Sequence, residues 1–155
     1  LLNQLLEDFY PSFEDKNITC EFSCKESAIL IDADGNLIAR LFDNLINNAI
    51  KYGAEGKLIR VEAEKENDQV VVRVINYGYV IPKEDLDKIF NKFYRVEQSR
   101  SEDTGGTGLG LAIVKNVVDI HKGRVSVKSS LDGTVFEVHL NISFNPDEEK
   151  LELNP

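Results

Sequence analysis

At 155 residues the chain can close one well-packed domain and is short for two. Its formal net charge of −9 excludes nucleic acid as the expected partner, because that binding rests on clustered Lys and Arg; a phosphorylated ligand stays open, since a pocket can be locally basic. Hydrophobic residues at 42% and charged residues at 29% are ordinary for a globular fold, and no apolar run approaches the ~20 residues of a membrane-spanning helix.

Leu1 follows no Met and no signal peptide opens the chain, so the sequence reads as a piece of a longer protein that is free to carry a membrane segment upstream. Leu1–Tyr10 has helical apolar spacing and reads as the tail of a helix that stops before Pro11. Ile18–Cys24 and Ala28–Ile31 read as two short strands across a polar turn at Lys25–Ser27. Cys20 and Cys24 have no nearby His, so they read as half-buried strand thiols in a reducing compartment rather than a zinc site. Asp34 is the expected N-cap of a long helix over Asn36–Tyr52, with Leu37, Leu41, Leu45 and Ile38, Phe42, Ala49 in period 3.6 and Gly53 and Gly56 at its end.

Leu58–Lys65 and Gln69–Asn76 alternate as a hairpin through Glu66-Asn67-Asp68. Gly78 and Pro82 mark a loop, and a short helix is expected over Lys83–Phe90. Residues 91–106 are polar, carry no clear period and end in glycines, which predicts a functional lid rather than a linker. A helix over Gly108–His121 stops at Gly123, and strands Arg124–Ser129 and Thr134–Ile142 follow with a turn at Asp132-Gly133. The acidic tail Asn145–Pro155 reads as frayed. Paired strands interrupted by three helices predict an α+β sandwich, with the helices on one face of a mixed sheet.

Two stretches carry chemistry. Gly105-Gly106-Thr107-Gly108-Leu109-Gly110 opens an apolar helix, so it is either a flexible turn before a core helix or a phosphate cradle at the positive end of the helix dipole. It is not a Walker A loop, because Lys115 lies well inside the helix, and it follows no strand as a dinucleotide fingerprint should. On the first long helix, Asn44 and Asn48 share a face that Lys51 and Tyr52 continue. That face is either merely solvated or a site for Mg²⁺ and phosphate: an amide oxygen suits the metal, and a lysine supplies a point charge.

The pattern Asn44-x-x-x-Asn48-Ala49-x-Lys51-Tyr52, then Ile89-Phe90-Asn91-Lys92-Phe93-Tyr94-Arg95, then Gly105 through Lys115, strongly resembles the N, F and G2 boxes of the catalytic ATP-binding domain of sensor histidine kinases. The resemblance covers about Asn17 to Ile142. It implies the Bergerat-type ATPase fold: a mixed sheet of about five strands, covered on one face by three helices, with ATP held under a mobile lid. It divides the chain into the end of an upstream helical dimerisation domain and linker (1–16), the catalytic domain (17–143) and an acidic tail (144–155).

The resemblance also assigns roles. Asn48 is the implied Mg²⁺ ligand, with Asn44 beside it; Lys51 and Tyr52 line the phosphate and nucleotide side. Asn48, Lys51 and Arg95 are the implied catalytic set. Phe90 and Phe93 anchor the lid, and Arg95 reaches toward the phosphates. Gly106, Thr107, Gly108 and Gly110 form the phosphate loop, with Leu109 packing beneath it. The segment Phe93–Ser101 resembles in particular the branch of heavy-metal and glycopeptide-resistance sensors.

Two departures stand out. The family's G1 box is usually Asp-x-Gly-x-Gly, and here it reads Asn76-Tyr77-Gly78-Tyr79-Val80, followed by Ile81. Asn76 takes the place of the adenine-reading Asp, with Gly78 and Ile81 expected to line the base. Weak ATP binding is the expectation. No phosphoacceptor segment occurs either, and His121 and His139 read as structural. The expected partners are therefore a helical domain of the same sensor kinase, dimeric in the full-length protein, and a cognate response regulator; this piece itself is expected to be monomeric and to lie on the cytoplasmic side of a membrane sensor. Two rivals stay open. One is a self-contained ATPase of the gyrase, Hsp90 or mismatch-repair type, which would carry a general-base Glu where Asn44 stands. The other is a degenerate nucleotide-sensing or protein-binding module.

Overall fold

The computed structural model describes residues 1–26, 29, 31–94 and 109–143. In chain order the elements are α1 (Leu2–Asp8), α2 (Tyr10–Asp15), β1 (Thr19–Cys24), α3 (Gly35–Gly53), β2 (Leu58–Glu66), β3 (Gln69–Asn76), α4 (Gly110–Ile120), β4 (Arg124–Ser130) and β5 (Gly133–Asn141). The strands form one five-stranded sheet in the order β1-β2-β3-β5-β4. β1 runs parallel to β2, and every other pairing is antiparallel, so the sheet is mixed as expected.

One face of the sheet is apolar because each strand alternates. Ile59 and Val61 of β2, Val72 and Val74 of β3, and Phe136, Val138 and Leu140 of β5 point into the core. The apolar stripe of α3 (Leu41, Leu45, Ile46, Ala49) and that of α4 (Val114, Val117, Val118) cover them. Fully burying each such aliphatic side chain contributes about 1.5–3 kcal/mol. α1 and α2 add Leu6 and Phe13 to this same core, although residues 1–16 were expected to close an upstream domain.

The opposite face carries a ladder of charge. Lys25 pairs with Glu64 at 2.7 Å, Arg73 bridges Glu64 at 3.0 Å and Glu137 at 2.7 Å, and His139 meets Glu137 at 2.6 Å. No helix of the described residues is long and apolar enough to cross a membrane.

Three elements differ from expectation. α1 stops at Asp8, ahead of Pro11 as expected, but the chain turns helical again at once: Pro11 sits in the first turn of α2, where its missing N–H is no loss. Ile29 and Ile31 lie in no strand, and residues 28 and 30 are outside the described residues. β1 pairs instead with β2, and the chain after it is drawn across to β5, where the Asp32 N–H donates to Ile142 O at 2.7 Å. Residues 83–90 form consecutive turns rather than an α-helix, held by bonds three residues apart such as Asp85 N–H to Pro82 O and Lys88 N–H to Asp85 O, both 2.9 Å. The stretch is too short to nucleate a helix unaided, and Ile89 pins it to the core.

Candidate nucleotide-binding site

The two helices that flank the site are fixed to each other at their far ends. Asp34 caps α3, its side chain accepting from Asn36 N–H at 3.0 Å and Leu37 N–H at 3.2 Å. The backbone N–H of Asp34 donates to Nε2 of buried His121, just past α4, at 3.2 Å. The other ring nitrogen of His121, Nδ1, lies 2.9 Å from Val117 O, which fixes the proton on Nδ1. His121 is structural, as its sequence position suggested.

Asn44, Asn48, Lys51 and Tyr52 all stand half-buried along one side of α3. The Asn44 amide nitrogen donates back to Arg40 O at 2.8 Å, which leaves its oxygen facing α4. There Gly110 comes so close that an added Cβ would stand 3.1 Å from Asn44 Oδ1. The N box and the end of the glycine loop are thus brought together. Leu109 and Gly110 are half-buried at the start of α4. Arg95, Gly106, Thr107 and Gly108, and the expected lid beyond Tyr94, lie outside the described residues, as does most of the segment 93–101 that suggested a particular branch.

The base end is built by the sheet. Asn76 closes β3 at 1% exposure, and its Nδ2 has no hydrogen-bond partner among the described residues. The last residue of α3 packs directly on it: a Cβ on Gly53 would stand 2.7 Å from Asn76 Cβ. Tyr52 stacks on Tyr79 with ring centroids 5.5 Å apart and an interplanar angle of 28°, and Lys51 Nζ lies 5.7 Å from the Tyr52 ring centre. The Tyr79 hydroxyl is likewise buried without a partner among the described residues, and burial pushes its phenol up. Gly78 has φ +108°, a conformation only glycine adopts readily. Val80, which stands where the G1 box has its second glycine, is not among the left-handed residues and is exposed, so its side chain meets no backbone strain. Ile81 is buried.

The two F-box aromatics part company. Phe90 is half-buried and meets Phe136 edge-on at 6.1 Å. Phe93, expected as a second anchor, is 68% exposed with φ +64° and packs nothing into the core. Tyr94 instead ties this stretch down, its hydroxyl bonded to the Asp85 carboxylate.

Sequence reasoning missed Tyr79, Ser129 and Thr134. For Ser129 and Thr134 the signal was parity; Tyr79 lies in a loop beyond β3 and had none. Asn76 follows inward Val70, Val72 and Val74; Ser129 follows inward Val125 and Val127; Thr134 precedes inward Phe136, Val138 and Leu140. Each is a polar residue at an inward position, and register sets the three side by side, Asn76 opposite Thr134 and Thr134 opposite Ser129. The apolar core thus ends in a polar row, where a polar ligand would find partners of its own kind.

Residues 33–143 match the family described as histidine kinase-, DNA gyrase B-, and HSP90-like ATPase. The sensor protein VanSC of Enterococcus gallinarum is 37% identical over 140 residues, which are 90% of this chain and 38% of that protein. The chain therefore spans under two-fifths of that relative's length. Among solved structures, the nucleotide-free catalytic domain of histidine kinase ThkA is 31% identical with a TM-score of 0.77, covering 92% of this chain and 93% of that one. ThkA in complex with the response regulator protein TrrA is also similar, at 28% identity and a TM-score of 0.72, over 91% of this chain and 40% of that one. The chain belongs to the histidine kinase-, DNA gyrase B- and HSP90-like ATPase family, as the nucleotide-binding catalytic domain of a sensor histidine kinase.

Proposed function

We propose that the chain binds Mg-ATP between α3, α4 and the polar end of the sheet, and transfers the γ-phosphoryl group to a histidine on a separate helical domain of the same sensor kinase. The observation that carries this reading is the buried amide nitrogen of Asn76, unpartnered among the described residues, at the end of an apolar strand. Leaving such a group unpaired costs about 1–3 kcal/mol, a cost that a purine edge would offset. Asn76 offers one acceptor and two donors, which match the 6-amino group and N1 of adenine and mismatch the corresponding carbonyl and N–H of guanine.

At the other end, Asn48 would supply an amide oxygen to Mg²⁺. No group of three His, Cys, Asp or Glu among the described residues could hold a metal, so the ion would come in with the nucleotide's phosphates. Lys51 and Arg95 would add charge there, and Gly106, Thr107, Gly108 and Gly110 would present backbone N–H groups. ATP supplies the phosphoryl group; the protein's share is positioning and charge neutralisation. Asn44 cannot act as a general base, because its amide has no basic lone pair to offer water and its nitrogen already bonds Arg40 O, so hydrolysis should be slow. Neither His121, with both ring nitrogens engaged, nor His139, bonded to Glu137, is a phosphoacceptor.

The partners would be the helical domain and, after it, a cognate response regulator, with this domain on the cytoplasmic side of the sensor. The test is to mix the chain with labelled ATP and isolated helical domains of candidate sensors and to look for acid-labile phosphate. Label on the helical domain, and none on this chain alone, is the expected result. Robust labelling of His121 or His139 would overturn the reading.

A further inference from the structure

The loop after Asn76 is held by a chain of hydroxyls. The Ile81 N–H donates to Ser129 Oγ at 2.8 Å. Ser129 Oγ and Thr134 Oγ1 are 2.7 Å apart, as an opposed pair on β4 and β5. Thr134 Oγ1 donates to Tyr79 O at 3.2 Å. Each hydroxyl has one proton. Thr134 has given its proton to a carbonyl, which can only accept, so the bond between the hydroxyls must run from Ser129 to Thr134. The order is therefore fixed: Ile81 N–H to Ser129, Ser129 to Thr134, Thr134 to Tyr79 O. One donor and one acceptor of the loop are both satisfied by the end of the β4–β5 hairpin.

Thr134 is also the register partner of Asn76 and is 2% exposed, so the clamp stands next to the unpartnered amide. It holds both ends of Tyr79–Ile81, a tripeptide with Val80 at its centre where backbone freedom is reduced. The unpartnered Tyr79 hydroxyl, stacked ring on Tyr52, is carried by this same clamped segment.

We propose that Ser129 and Thr134 are positioning residues for base recognition: their hydroxyl relay sets the Tyr79–Ile81 loop against Asn76, so that the base edge and the Tyr79 ring meet a preformed slot. The role rests on the nucleotide reading above. Neither hydroxyl needs to touch the nucleotide; the effect comes from holding the loop where the base arrives, which spares the ordering cost on binding.

The test combines amide exchange with calorimetric titration of ADP and GDP on the native chain and three variants. Ser129→Ala and Thr134→Val each cut the relay, while Thr134→Ser keeps the hydroxyl. In the two cut variants the Ile81 amide should exchange at least about tenfold faster, and ADP should bind about tenfold more weakly, the worth of one buried hydrogen bond. The ratio of ADP to GDP affinity should shrink with it. Thr134→Ser should stay near native in all three readouts, and amides of β3 such as Val72 should keep their protection throughout. Native ADP affinity and selectivity in Ser129→Ala, despite faster Ile81 exchange, would overturn the proposal and leave the relay merely structural. A native chain that binds no ADP at all, with Ile81 protected, would overturn the nucleotide reading itself.

Discussion

His121 and Asn76 are buried alike, at 3% and 1% exposure, and treated in opposite ways. Both ring nitrogens of His121 have partners, one on α3 and one on α4. Asn76 closes a strand of the same core with its amide nitrogen unpartnered. The Ser129–Thr134 pair sides with His121, its polarity accounted for at every step. Burial alone therefore does not separate a group engaged inside the chain from one proposed to meet the base directly; satisfaction does. A polar group with its bonds made inside the chain is held by the fold, and the proposed direct contact with the base falls on the group left without one among the described residues.

The difference can be broken by mutation, and the largest expected effect is at the phosphate end. Asn48→Ala should reduce phosphoryl transfer by about a hundredfold or more, since losing a metal ligand removes several kcal/mol of charge stabilisation. Its urea midpoint should stay close to native, because Asn48 is half-buried and lies off the apolar stripe of α3. Near-normal transfer by a folded Asn48→Ala would show that the N-box face is only solvated.

Stability should separate the two buried groups next. His121→Ala removes a filled site, leaves the Asp34 N–H unpaired and unties α3 from α4, at a cost of about 2–4 kcal/mol in urea unfolding. Asn76→Ala deletes an amide whose nitrogen has no bond to lose, and should change stability by less than about 1 kcal/mol. Equal losses would erase the distinction.

A smaller effect sharpens it. Asn76→Asp should strengthen ADP binding by about 0.5–1.5 kcal/mol, the difference between a charged and a neutral acceptor. Unchanged affinity would mean that Asn76 does not read the base.

The smallest effect belongs to the open face of the sheet, where Lys25, Glu64, Arg73, Glu137 and His139 are linked in one chain of pairs. The bond from His139, and after it that from Arg73, holds the Glu137 carboxyl below its ordinary range; Lys25 and then Arg73 do the same for Glu64. A depressed carboxylate contributes stability that is fully present above its unfolded value, ~4.3 for Glu, and is lost as pH falls through the lower folded value. Glu137→Gln should therefore flatten the acid limb of the stability curve below about pH 4 and leave neutral pH nearly unchanged. An acid limb as steep as the native one would mean that the ladder carries no linkage.

Much of this was legible in the sequence. The 3.6 period and Asp34 announced α3 and alternation announced β2 and β3; the family resemblance implied that the N and G2 boxes share one site, and Asn44 and Gly110 do approach each other. What was not legible depended on partners distant in sequence. The parallel pairing of β1 with β2 and the capture of residues 31–32 by the end of β5 have no local signature, so a nearby hairpin looked as good. Phe93 looked like Phe90 because an aromatic near a core says nothing of backbone hand, and φ +64° turns it outward. The relay joins Ile81 to Ser129 across 48 residues and Tyr79 to Thr134 across 55, and only the register of β4 on β5 brings them together.

The central claim is that the unpartnered end of the sheet receives an adenine. Calorimetric titration of ADP and GDP into the native chain and into Asn76→Ala tests it most directly. ADP should bind the native chain weakly but clearly tighter than GDP, and Asn76→Ala should lose that preference while melting like the native chain. GDP binding as well as ADP, or an adenine preference that survives in Asn76→Ala, would contradict it.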